Sequence, residues 1–371
     1  MLHSTAPRAE RVILAGVDTG ADRDLFEIEM DELDALARAA GGVVVARAVQ
    51  RRPSVDPTTL LGQGKVAEIA QLAKQTDATL VVTLNALRPR QRAAIEKVLG
   101  DIGVMDRSVL ILDIFASHAR TSEGKLQVEL AQLRHRAANL IGSRDALSRL
   151  GGGIGTRGPG ETKLEVDRRR IRLRITHLES QLEEVRKRRS EQRRSREDTP
   201  LVALVGYTNA GKSSLLNALS GAHVFVADQP FATLDPTLRK VHLEPNMSAI
   251  LADTVGFISD LPKELVAAFR ATLEEVTNAT LLVHVIDASN PYWQRQRESV
   301  NIVLRELGAH DKPALYVWNK IDALPYAGSA ADLGDAGVLV SAKTGSGIAE
   351  LKSAIAERLR SLASPLPSTG S

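Results

Sequence analysis

The chain alternates short apolar runs with longer segments in which apolar positions recur every three or four residues. Over the first hundred-odd residues, Arg11–Val17, Val43–Val49, Thr79–Thr83 and Gly103–Asp106 read as strands. Between them, Glu29–Ala40, Val66–Thr76 and Arg88–Leu99 carry helical spacing. This alternation predicts a small parallel α/β domain over 1–120. A different pattern follows. Leu126, Leu130, Leu133 and Ala137 share one face of Gly124–Ile141, and Leu164, Ile171, Ile175, Leu178, Leu182 and Val185 recur at seven-, four- and three-residue steps. That heptad seam predicts an antiparallel helical hairpin within 121–198, turned by the glycine-rich segment Gly151–Glu161 and closed by a linker, Ser195–Pro200. From Leu201 the strand–helix alternation resumes and predicts a second α/β domain over 199–363. Its last helix spans Gly347–Leu362, and a short polar tail, 364–371, is expected to be disordered.

The second α/β region carries the clearest chemistry. The apolar run Leu201–Val205 leads into Gly206-Tyr207-Thr208-Asn209-Ala210-Gly211-Lys212-Ser213, and a helix is predicted from Ser213 to Leu219. This is the pattern G-x-x-x-x-G-K-[ST] in its strand–loop–helix context, which marks a phosphate-binding loop. The glycines let the backbone wrap a polyphosphate so that successive N–H groups and the helix N-terminus face negative charge. Lys212 is expected to reach the β- and γ-phosphates, and the Ser213 hydroxyl to meet Mg²⁺, with Ser214 behind it in the same turn.

Three further signatures sit on successive strand ends. Asp253-Thr254-Val255-Gly256 closes the strand Ala249–Ala252; its carboxylate can serve Mg²⁺ through water and its glycine N–H the γ-phosphate. Asn319-Lys320-Ile321-Asp322 follows the strand Ala314–Trp318. A carboxylate at Asp322 can accept from guanine N1–H and the 2-amino group together, and adenine lacks that donor pair. Ser341-Ala342-Lys343 follows Val338–Val340 and offers a backbone N–H to guanine O6. Each is weak alone; the four in order imply GTP and GDP as ligands. Phe231-Ala232-Thr233-Leu234-Asp235-Pro236-Thr237 lies between the first two signatures and is the expected switch, since one of its threonine hydroxyls can cap Mg²⁺ when the γ-phosphate is present. Phe257 stands where many GTPases carry a water-orienting Gln. A phenyl ring cannot do that, so slow intrinsic hydrolysis is expected.

Composition narrows the setting. At 371 residues the chain is long enough for two or three domains, and 43% apolar with 25% charged residues is a globular balance. No run approaches the ~18 apolar residues of a membrane span, and the first residues lack the apolar core of a signal peptide. With no cysteine, thiolate metal sites are excluded, and a cytoplasmic setting is expected. Net charge is only +3, but arginines crowd the predicted second hairpin helix: Arg168, Arg169, Arg170, Arg172 and Arg174, then Arg186, Arg188 and Arg189. Such a run is either a solvated face or a surface for RNA phosphates. Gly62-Gln63-Gly64-Lys65 is either a glycine turn or a second anion site. Gly153, Gly155 and Gly158 match G-x-G-x-x-G but follow a helix, which argues against dinucleotide binding.

Together these segments resemble the HflX family of translation-associated GTPases over nearly the whole chain. The resemblance rests on GTRGPGETKLEVDRRRI (Gly155–Ile171), GYTNAGKSSLLNAL and PFATLDPTLR, with LLGQGKVAEI, DRSVLILDIFASHA and EGKLQVELAQL upstream. It implies an N-terminal α/β domain, a helical-hairpin linker and a Ras-like P-loop G domain. It implies binding to the large (50S) ribosomal subunit, GTP hydrolysis under its stimulation and the splitting or rescue of stalled ribosomes. A monomer is expected. Thr233 is then the switch threonine that joins Ser213 and Asp253 around Mg²⁺, and Lys212, Thr233 and Gly256 act on the reaction itself. For some members it also implies ATP-dependent RNA unwinding through the N-terminal domain, although Leu84-Asn85-Ala86-Leu87 lacks the acidic residues of that pattern. A GTP-regulated RNA-binding or assembly factor is the alternative from another class.

Overall fold

Strand β1 (Arg11–Asp18) is buried from Val12 onward, side chains of both faces included, which is the signature of an interior strand in a parallel sheet. The computed structural model describes residues 9–20, 22–142, 163–194, 199–221, 230–231, 236–259, 273–324 and 337–363. It divides into two units, Met1–Ser117 with Leu126–Gln181, and His118–Lys125 with Leu182–Ser371.

In the first unit β1, β2 (Val43–Arg51), β3 (Leu80–Thr83) and β4 (Gly103–Asp106) form a parallel sheet of order β2-β1-β3-β4. Helices α1 (Arg23–Ala39), α2 (Gln63–Thr76) and α3 (Pro89–Leu99) alternate with the strands. Ile13, Ala15 and Val17 of β1 pack with Val66, Ile69 and Ala73 of α2 and Ile95 and Leu99 of α3. Helix α1 begins well before the expected Glu29. Asp22 caps it by accepting from Leu25 N–H at 3.1 Å, so a polar first turn precedes the apolar stripe. Helix α2 likewise begins earlier, at Gln63 with Gly62 as its N-cap. A further helix, α4 (Arg107–His118), was not expected. Leu110, Ile111, Leu112, Ile114 and Phe115 are all buried, so the segment shows little helical period to read.

Helices α5 (Ser122–Gly142) and α6 (Lys163–Arg194) bury part of the predicted seam: Leu130, Leu178 and Leu182 are almost fully covered, while Leu126, Leu133, Ile171 and Ile175 are partly covered. Arg174 grips Glu129 at 2.8 and 3.0 Å, and Arg134 grips Glu179 at 2.7 Å. Glu129 and Arg174 each precede a seam residue (Leu130, Ile175), while Arg134 and Glu179 each follow one (Leu133, Leu178). Like flank thus meets like flank, the pairing of an antiparallel seam. The connecting glycine loop with Arg157, the linker residues 195–198 and the tail lie outside the described residues.

The second unit is built on a six-stranded sheet of order β10-β9-β8-β5-β7-β6. Its strands are β5 (Leu201–Gly206), β6 (Thr237–Glu244), β7 (Met247–Asp253), β8 (Leu281–Asp287), β9 (Ala314–Asn319) and β10 (Val338–Leu339). All are parallel to their neighbours except the edge strand β6. Among the described residues, helices α7 (Lys212–Ser220), α8 (Glu274–Asn278), α9 (Trp293–Glu306) and α10 (Ile348–Ala363) accompany it. Leu204, Leu215, Val283, Val317, Leu351 and Ile355 form part of one core between sheet and helices. Among the described residues no helix is long and apolar enough to cross a membrane.

Candidate phosphate- and base-binding site

Three parallel strands, β5, β7 and β9, end at one edge of the sheet and carry three of the four signatures, with Ser341-Ala342-Lys343 just beyond β10. The carboxyl ends of parallel strands are where open α/β sheets bind ligands. The turn after β5 depends on its glycines. Gly206 lies against the Val285 carbonyl of β8 and Gly211 against Asn319 Nδ2, so a Cβ at either would collide, and Gly211 also holds φ +90°. Asn209 adopts φ 59° inside the same loop. Loop backbone and neighbouring strands thus approach more closely than side chains would permit.

Lys212 folds back into the loop and is 6% exposed, its ammonium donating to the Gly206 carbonyl at 3.0 Å and the Tyr207 carbonyl at 2.8 Å. Burial pushes its pKa down to about 8, against the opposing pull of the Asp253 charge. Ser213 Oγ donates to Asp253 Oδ2 at 2.6 Å, which brings the ends of α7 and β7 together. These are two adjacent hard oxygen donors at the mouth of a phosphate loop, the chemistry that suits Mg²⁺ shared with a nucleotide. Among the described residues no group of three His, Cys, Asp or Glu side chains could hold a metal by itself. Ser214 is partly buried in the first turn of α7. Thr254 Oγ1 donates to the Leu204 carbonyl at 2.7 Å, Val255 is buried, and Gly256 packs so closely that a Cβ would sit 2.7 Å from Thr208 Cα and 3.2 Å from Lys212 Nζ.

Asn319 is the brace between loop and base site. Its Nδ2 donates to the Ala210 carbonyl at 2.9 Å, and its Oδ1 accepts from Ala342 N–H at 3.0 Å. The Ala342 N–H is therefore already engaged, so a guanine O6 would share it or take the next one, of Lys343. Asp322 is exposed, and the buried Ser341 hydroxyl donates to its Oδ1 at 2.6 Å, fixing the carboxylate plane. Lys320, in left-handed backbone (φ 64°), pairs with Asp287 at 2.8 Å, while Ile321 stays partly buried beneath.

Phe231 is buried at φ 59°, and its N–H donates to Thr208 Oγ1 at 3.2 Å. Ala232, Thr233, Leu234 and Asp235 lie outside the described residues. Phe257 is 2% exposed: its ring points into the protein, and its backbone bonds Gly206 and Thr208. Sequence reasoning missed three members of this arrangement. Asp287 ends β8, an apolar run that itself was not among the expected strands; a carboxylate at a strand end was the available signal. The Tyr207 hydroxyl and Ser259 meet across 52 positions, and nothing local announces that. Neither does sequence mark His284 of β8, 2% exposed, whose pKa burial lowers to about 3 with help from Arg297 and Lys212.

Comparison with known proteins agrees with this geometry. Residues 27–116 match the family described as GTP-binding GTPase N-terminal, 118–196 the GTP-binding GTPase middle region, and 201–320 the 50S ribosome-binding GTPase family. The chain is 50% identical over 345 residues to a GTPase HflX of Lacrimispora saccharolytica, covering 92% of this chain and 81% of that protein. It is 48% identical over 356 residues to GTPase HflX of Escherichia coli K12, covering 94% and 83%. Among solved structures, the complex of SsGBP with GDP is similar at TM-score 0.54 and 25% identity, over 96% of this chain and all of that one.

Proposed function

The chain belongs to the HflX family of GTPases, and from that premise we propose a GTP-hydrolysing enzyme that works on the large (50S) ribosomal subunit and splits or rescues stalled ribosomes. A monomeric, cytoplasmic protein is part of the same reading. The observation that carries the nucleotide assignment is the Asn319 brace with the Ser341-held Asp322, which sets base acceptors and phosphate loop at one sheet edge. A neighbouring structure bound to GDP supports guanine as the base. The match of 201–320 to a ribosome-binding family supports the partner.

In this reading Lys212 neutralises the β- and γ-phosphates, Asp322 takes the guanine N1–H and 2-amino group, and Gly256 N–H faces the γ-phosphate. Ser213, Asp253 and Thr233 would hold Mg²⁺, which supplies charge neutralisation at the transferring phosphoryl group. Phe257 offers the attacking water no polar group, so basal turnover is slow and a large ribosomal subunit, or another residue, completes the site. The test is steady-state GTP hydrolysis, alone and with large subunits, with Lys212→Ala as the blank. A rise of at least about tenfold with subunits is expected; no rise removes the ribosomal assignment and leaves the nucleotide one.

The buried Phe257 ring gives a second reading some support: a GTP-regulated RNA-binding or assembly factor in which hydrolysis is incidental. Lys212→Ala would then abolish nucleotide control while RNA binding persists. ATP-driven unwinding by the first unit has less to stand on. Gly62 N–H is given to Gln50 Oε1 at 2.8 Å, and Lys65 pairs with Glu68 at 2.8 Å, so this segment is the start of a helix with its polar groups engaged.

A further inference from the structure

Tyr207 sends its side chain out of the phosphate loop. It is 7% exposed, and its hydroxyl accepts from Ser259 N–H at 2.9 Å and shares a proton with Ser259 Oγ at 2.9 Å. Ser259 Oγ in turn lies 3.4 Å from Ser299 Oγ of α9, so the contact is anchored on a helix. The chain from Asp253, the last residue of β7, to Ser259 bears Gly256 and Phe257, and it is stitched to the loop in strand fashion. Phe257 N–H donates to the Gly206 carbonyl at 3.1 Å, and Thr208 N–H donates to the Phe257 carbonyl at 2.6 Å. From its backbone side, the Tyr207 carbonyl accepts from Lys212 Nζ. One residue therefore touches the phosphate-facing cation through its backbone and the Gly256 segment through its ring.

A loop that only cradled phosphates would gain nothing from a hydroxyl here. Phenylalanine would fill the same space without placing a polar group in a buried position. The hydroxyl matters where the placement of Gly256 matters, because a donor aimed at developing charge must sit within about 3 Å of it. A displacement of ~1 Å can cost on the order of a hundredfold in rate. We propose that Tyr207 is a positioning residue for GTP hydrolysis: its hydroxyl pins Ser259 and so holds Gly256 and Phe257 in strand register beside the phosphate loop. GDP has no γ-phosphate for Gly256 to meet, so the pin bears on turnover and not on GDP binding. The inference rests on the reading of this site as the seat of GTP hydrolysis.

The experiment compares Tyr207→Phe, Ser259→Ala and their double variant in the full chain, with Lys212→Ala beside them. It reads kcat and KM for GTP and Kd for GDP. Tyr207→Phe is expected to lower kcat about tenfold with GDP affinity held within about twofold. Ser259→Ala should lose less, because its backbone N–H still meets the tyrosine, and it carries the test if the loop variant disturbs folding. The double variant should be no worse than Tyr207→Phe alone, since both remove one contact. An unchanged or raised kcat, or a parallel loss of GDP affinity, overturns the pin. If Lys212→Ala abolishes hydrolysis while neither pin variant alters it, the site stands and the pin falls. If hydrolysis survives Lys212→Ala, the site reading falls and the pin with it.

Discussion

At the scale of single residues, Lys212 decides how the site answers to pH. Burial lowers its pKa to about 8, so below that value the unliganded chain holds the ammonium and above it the neutral amine. Phosphate needs the ammonium, and binding above pH 8 must therefore take up a proton. GDP affinity is expected to be flat from pH 6.5 to 7.5 and then to fall, approaching about tenfold per pH unit. A Kd that stayed level to pH 9.5 would show that Lys212 keeps its proton. The stability sign is opposite: between about 8 and the ordinary value of 10.5 the unfolded chain binds more protons, so this group's contribution to stability rises with pH. In the proposed reading Asp322 selects the base. Asp322→Asn replaces one acceptor oxygen with a donor, and GTP affinity should drop by about a hundredfold while xanthosine triphosphate gains. Unchanged GTP binding would remove Asp322 from the site. That Lys212 and Asp322 would gather at one sheet edge was legible in the sequence, because each sits at a fixed short spacing from a glycine or a lysine on a strand end. The Tyr207–Ser259 and Lys320–Asp287 contacts were not, because folding alone brings those positions together.

Whole elements were legible where burial is periodic. The seam of α5 and α6 follows its heptad, and Leu178 is fully buried in it. Leu178→Ala should cost roughly 2–4 kcal/mol locally, visible as faster hydrogen exchange along α5. Arg174→Ala should change that exchange little, because the pair with Glu129 is about half exposed and such pairs contribute ~0–1 kcal/mol. Equal effects from the two variants would mean that charge, not apolar burial, holds the seam. Elements without a usable period were missed. Strand β6 buries only Val241 and Leu243 and lies at a sheet edge, so its sequence reads as a polar loop. Strand β8 is the reverse case, apolar from Leu281 to Ile286 but for His284, and only its place between β5 and β9 distinguishes it from a stretch of helix.

For the whole molecule, each unit has its own sheet and its own apolar core cluster. Every described residue of the candidate site, from Gly206 to Lys343, belongs to the second unit. A ligand that binds only the folded form stabilises what it touches by RT ln(1 + [L]/Kd), about 2.7 kcal/mol at a hundred times Kd. GDP at that concentration should therefore slow hydrogen exchange in β5, β7 and β9 by up to about a hundredfold, where exchange requires opening of the whole unit. The amides of β1 and β3 should exchange at their former rate. Slowing in β1 as well would mean that the sheet of the first unit opens only when the second does. The two sheets would then open as one cooperative body, and variants in the first unit's core, such as Ile13→Ala, should weaken GDP binding as well as the fold.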